Sequence, residues 1–196
     1  MNISSELLEK YNFLKGLVVS DRKDSFNACM KCLEENTLWL TAPASSKFHS
    51  AKESGLLEHS ILVTLAIIKL KKTFSPEITD EQCVIVGLLH DIGKVGNSEM
   101  PMYIAGKQTE KQKLYGYPSN DPYGINDNLQ WMEIEDRSLY LATVGCDFKF
   151  EEEEYAAIRY HSEPWKGQSS VYRKNKLMTL LQMSDYWNTQ YVEETK

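Results

Sequence analysis

No apolar run in this chain of 196 residues approaches the roughly 20 that a membrane span requires. The longest, ILVTLAII at 61–68, is broken by Thr64 and closed by KLKK, which fits a buried helix. The opening MNISSELLEK has no apolar core of the kind a secretory signal carries, and the expected compartment is the cytoplasm. Basic residues are not in excess. Lys and Arg number 22 against 28 Asp and Glu, a net charge of −6, which disfavours a long nucleic-acid footprint and leaves room for a local phosphate pocket. Cysteine is sparse as well. Cys29 and Cys32 have the spacing of half a zinc site, but Cys83 and Cys146 stand alone, so no second pair completes it. No strand precedes the pair, as a thioredoxin-like motif would need, so reduced cysteines on an amphipathic helix are expected. Internal repeats and low-complexity linkers are absent too.

What is present is helical periodicity. An apolar stripe marks a helix over 3–16, and Ser20 or Asp21 is placed to cap a second through about Glu35. Residues 36–54 read as irregular, and a long central helix then covers 55–73. The capping box T79-D-E-Q82 opens an apolar helix to about Asp91, with Gly93 expected as its left-handed C-terminal cap. Residues 102–117 alternate enough to suggest a β-hairpin turning near 107–111. Helices resume over 131–146, 151–161 and 172–192.

Against this apolar background four polar residues stand out. His59 lies near the start of the most apolar helix, and His90 and Asp91 end the next one. Asp185 falls at i+4 from Leu181 and i+8 from Leu177, so it points inward from an apolar stripe. Burying such groups costs several kcal/mol unless a partner satisfies them. Taken singly, each has a bland explanation as a hydrogen-bonded core residue. One divalent cation accounts for all four, since imidazole and carboxylate suit Zn, Mn, Fe, Co or Ni, and a helix C-terminus favours positive charge.

The ordered set GLLEHS, GLLHDIGK and a late helix with an inward Asp resembles the HD superfamily of metal-dependent phosphohydrolases, in particular small HD hydrolases of bacterial and phage genomes. The resemblance implies an all-α fold: an HD-domain helical bundle over 46–196 with a small β-hairpin insertion, on which N-terminal helices of residues 1–45 pack. It implies His59, His90, Asp91 and Asp185 as metal ligands, for one or two ions of Mn, Fe, Ni, Co, Zn or Mg. Asp91 would also orient or deprotonate an attacking water made acidic by the metal, and Lys94 would contact phosphate. AIRYHSE resembles the extra-histidine segment of two-metal variants, including cyclic-dinucleotide phosphodiesterases, which makes His161 a candidate second-metal or phosphate contact. His49 and Glu133 join it, Glu133 or Glu135 standing where many relatives carry a further histidine. Arg159 is a weaker phosphate candidate, since a salt bridge to the acidic run 151–154 explains it equally well, and Glu58 is a candidate general acid or a solvated helix residue.

The expected partner is a small phosphorylated ligand, a nucleotide, with a homodimer left open by the Trp and Tyr content. A nuclease cutting single strands and a catalytically silent HD binding module are the two alternatives. The first would need a basic track with exposed aromatics, hinted at only by KQTEKQK at 107–113. The second typically loses ligands, and here the set is intact.

Overall fold

Helix-forming periodicity dominates the chain, and the computed structural model, which describes residues 3–162 and 175–193, is all-α with one two-stranded ribbon. Its helices are α1 (Ser5–Lys15), α2 (Lys23–Asn36), α3 (Gly55–Phe74), α4 (Asp80–Leu89), α5 (Glu110–Tyr115), α6 (Ile134–Tyr140), α7 (Glu152–Tyr160) and α8 (Lys176–Trp187). The strands β1 (Tyr103–Ala105) and β2 (Tyr123–Ile125) pair antiparallel, Tyr103 opposite Ile125. No helix among the described residues is long and apolar enough to cross a membrane.

At the centre, α3 packs against both α4 and α8. From Cys83 to Leu89 every residue of α4 is buried, and in α3 buried residues run from Gly55 to Ile67. The two helices approach closely at Gly87, where a Cβ would lie 2.3 Å from the Thr64 hydroxyl and 2.8 Å from its Cα. Only glycine fits there, one turn before His90. The N-terminal helices contribute Tyr11, Leu14, Phe26 and Leu33 to the same apolar core as α3 and α4. Polar ties back up that packing: Trp39 donates to the Tyr11 hydroxyl (3.0 Å), which donates to Glu34 (2.8 Å).

The Thr79–Gln82 capping box is present, but several local expectations are corrected. Arg22, rather than Ser20 or Asp21, takes the N-cap position of α2. The helix of 79–91 stops at Leu89, with His90 as its cap and a 3₁₀ turn, Ile92–Val95, after it. Gly93 is not left-handed; the positive φ belongs to Gly96 (92°). Gly93 is small because the turn abuts α6, where a Cβ would lie 2.3 Å from the Ile134 carbonyl.

The ribbon does not turn at 107–111 either. A second capping box, Thr109 with Gln112, starts α5 there, and the partner strand comes later, at 123–125. The helix expected over 131–146 begins at Ile134 and widens into a π turn, Leu141–Gly145. A second π turn, Asn188–Val192, follows α8. Residues 172–174 of the last expected helix lie outside the described residues. Cys32 is not reduced: it forms a disulfide with Cys146, at a Cα separation of 5.8 Å. Cys29 and Cys83 are free and buried.

Candidate metal centre

Three helix segments deliver the polar cluster. His59 sits in the first turns of α3, on the buried face it shares with Leu56 and Val63. His90 caps α4, and Asp91 leaves helical geometry altogether (φ −116°, ψ 10°). That break answers how adjacent residues reach one point, since neighbours in an unbroken helix diverge by about 100°. Asp185 arrives from α8, held by a 3.3 Å bond from the Thr189 hydroxyl.

The four side chains converge. His59 Nε2 lies 3.2 Å from His90 Nε2 and 3.4 Å from both Asp91 Oδ2 and Asp185 Oδ1. His90 Nε2 is also 3.4 Å from Asp91 Oδ2. Donor atoms that share one first-row ion at about 2.1 Å stand about 3 to 3.4 Å apart, so the set fits a single cation. The tautomers agree with it. His90 Nδ1 lies 2.9 Å from the Gly87 carbonyl, and His161 Nδ1 lies 2.7 Å from that of Ile158. A carbonyl only accepts, so both Nδ1 atoms are donors and both Nε2 atoms keep a lone pair in the neutral ring. His59 Nδ1 lies 2.6 Å from Glu193 Oε1, which imposes the same tautomer. Two imidazole lone pairs and two carboxylate oxygens therefore face one another, an arrangement that calls for positive charge.

The electrostatics say the same. Burial works against charge on His59, yet Asp91, Glu193 and Asp185 push its imidazole up to about 9. Burial also opposes ionisation of Asp91, but Lys94 first, then His90 and His59, hold its carboxyl well below the usual carboxylate range. Lys94 Nζ is 2.6 Å from Asp91 Oδ2. Burial lowers the imidazoles of His49 and His161, which favours their neutral, ligating forms.

Beside the cluster lies a cavity of about 290 Å³. Its walls include His49, Asp91, Lys94, Glu135, His161 and Asp185. The His161 ring stands 5.1 Å from that of His90, and the His49 ring 5.4 Å from that of His59. Overlapping groups able to hold an ion are His49–His59–Glu193, His59–His90–Asp185 and His90–Asp91–His161.

Glu133 is not in any of these groups and does not line the cavity; it precedes α6, and Glu135, two residues on, forms the wall instead and accepts from Ser162. Arg159 pairs with Asp136 of α6 (2.6 Å), and among the described residues no ion pair joins it to the acidic run. Glu58 pairs with Lys52 (2.7 Å) and faces an outer groove.

The residue that sequence reasoning missed is Glu193. It lies in VEETK, a short polar stretch that reads as solvated, and the π turn after α8 returns it to the core. Its carboxylate is nonetheless buried, between His59 and the Ser50 hydroxyl.

The family model described as HD domain matches residues 56–186, more than half of the chain. No curated protein and no solved structure matches it.

Proposed function

This chain belongs to the HD domain family, and on that premise we propose that it is a metal-dependent phosphohydrolase acting on a phosphate ester of a small nucleotide. The observation that carries the reading is the convergence of His90, Asp91 and Asp185 within 3.4 Å of His59 Nε2 at the wall of a cavity. A divalent cation held by those four residues would acidify a water and polarise a phosphoryl oxygen.

The chain's own residues supply the rest. Lys94 lines the cavity; burial opposes its charge, but Asp91, with Tyr103 and Asp185, more than offsets that and raises its ammonium, so it presents a fixed positive charge to a phosphoryl oxygen. Asp91, with its carboxyl held so low, is a poor proton acceptor; orienting the water is the role its chemistry suits. His49 and His161, both in the cavity wall, stand where a second phosphoryl oxygen or a second ion would be met.

A cavity of about 290 Å³ lies at the small end of ligand sites and suits a nucleotide better than a polymer. One observation favours the nuclease reading. A broader groove of about 1000 Å³, with Lys47 and exposed Phe48 on its rim, shares Ser50 and Glu193 with the back of the site.

The test is phosphate or nucleotide release with Mn²⁺ across nucleoside mono- and triphosphates, cyclic dinucleotides and short single-stranded RNA, with Asp91→Ala alongside. Release from a nucleotide that the variant abolishes supports the proposal. Release from RNA alone moves the assignment to the nuclease, and no release by a wild type that fails to bind the added Mn²⁺ moves it to the silent module.

A further inference from the structure

We infer that Glu193, together with Ser50, is the positioning pair that sets the tautomer and basicity of His59 as a metal ligand. This deepens the proposed function and rests on its metal site.

Two independent features carry it. The first is the carboxylate itself. Glu193 Oε1 lies 2.6 Å from His59 Nδ1 and Oε2 lies 2.6 Å from Ser50 Oγ, with the Glu193 side chain almost wholly buried. A buried carboxylate needs donors for both oxygens, and here each has one. Because an ionised carboxylate only accepts, His59 Nδ1 carries the proton and Nε2 is left to face His90, Asp91 and Asp185. A carboxylate behind a ligating imidazole fixes the ring and makes its far nitrogen more basic.

The second feature is the backbone that aims Ser50. This residue is left-handed (φ 47°), a conformation that costs a non-glycine residue about 1 kcal/mol or more and persists where surrounding structure enforces it. The enforcement is visible. The Ser50 carbonyl accepts from Ala44 N (3.1 Å) and Lys52 N (2.9 Å), and the first residue of α3, Gly55, leaves no room for a Cβ, which would lie 2.0 Å from that carbonyl. The loop before α3 and the π turn after α8 thus meet at one carboxylate. The amide of Glu193 completes this by donating to the Asn188 carbonyl (2.9 Å).

Three variants of the full chain test the pair, each first checked for a wild-type circular dichroism spectrum. Binding of Mn²⁺ and Zn²⁺ is measured by calorimetry, and the His59 Nδ1 proton is observed by ¹⁵N-edited NMR of the zinc-loaded protein. Glu193→Ala should weaken binding about 10- to 100-fold at unchanged stoichiometry and lose the downfield Nδ1 proton to exchange. Glu193→Gln, whose amide oxygen still accepts from Nδ1, should retain that proton further upfield and lose about threefold to tenfold in affinity. Ser50→Ala should cost less than Glu193→Ala, about threefold. Unchanged affinity in Glu193→Ala overturns the inference. Loss of one metal equivalent with the rest bound as before also overturns it, because Glu193 would then be a ligand. If the wild type binds neither ion, the metal-site reading itself falls, and this inference with it.

Discussion

Two of the buried charge clusters among the described residues are built in opposite ways. At the start of α2, Arg22 makes a forked pair with Glu154 of α7, its two terminal nitrogens 2.8 and 2.7 Å from the two carboxylate oxygens. The amide of Glu151 donates to the same carboxylate (3.0 Å), and Ser20 and Val19 satisfy nearby Glu81. Every acceptor there faces an N–H or O–H donor of the protein. At the end of α4 the reverse holds. His90 Nε2, Asp91 Oδ2 and Asp185 Oδ1 all lie within 3.4 Å of His59 Nε2, more acceptors than its one proton can satisfy, while Gly87 and Glu193 tie down the far imidazole nitrogens and Lys94 and Thr189 reach the carboxylate oxygens themselves. A cluster that completes itself is a fastener. One in which several acceptors crowd a single imidazole nitrogen could hold a cation in the proton's place.

That contrast can be broken by exchanging the consequences of substitution at the two places. The largest effect should come from His90→Ala, which removes a ligand: Mn²⁺ affinity by calorimetry should fall more than about 100-fold, beyond what loss of a supporting residue does. Arg22→Ala should leave that affinity unchanged and instead cost about 3 kcal/mol in urea unfolding, because Glu154 stays behind buried without its counter-ion. Loss of metal binding in Arg22→Ala would erase the distinction.

Gly87→Ala sharpens it, since Gly87 shapes this second cluster by letting α3 and α4 touch. The added methyl meets Thr64 backbone as well as side chain, and overpacking of this kind should cost about 2 kcal/mol, read by the same unfolding assay. The smallest effect concerns pH. His59 is raised from about 6.5 to about 9 by folding, so in protein stripped of metal its contribution is fully present below pH 6.5. It is lost as pH rises through 9. Thermal melts should therefore show stability declining across that window in the stripped wild type, and no such decline in His59→Asn.

The two places also differ in how far the sequence betrays them. His59, His90, Asp91 and Asp185 were legible because ionisable residues on apolar stripes are costly, and because their order resembles a known family. The all-α class followed from the same periodicity. Glu193 was not legible, since a glutamate in VEETK carries no periodic signal and only the π turn brings it back. The Arg22–Glu154 fork was equally hidden, for it joins residues 132 apart that both look like ordinary helix-end charges. The disulfide of Cys32 and Cys146 spans 114 residues and has no local trace. The insertion was misread for a different reason. Thr109-Glu-Lys-Gln112 carries the same capping signal as Thr79-Asp-Glu-Gln82, but the alternation of the preceding strand runs straight into it. Local signals were therefore sufficient where one element decides the outcome, and failed where two distant elements must meet.

The central claim is that the acceptors converging at His59 hold a divalent cation. It is tested most directly by calorimetric titration of Mn²⁺ into the wild-type protein after chelator treatment, with elemental analysis of the dialysed complex. The account predicts at least one equivalent per chain, with protons released as the ion replaces the charge on His59. No bound metal, at any pH between 6.5 and 9, would contradict it.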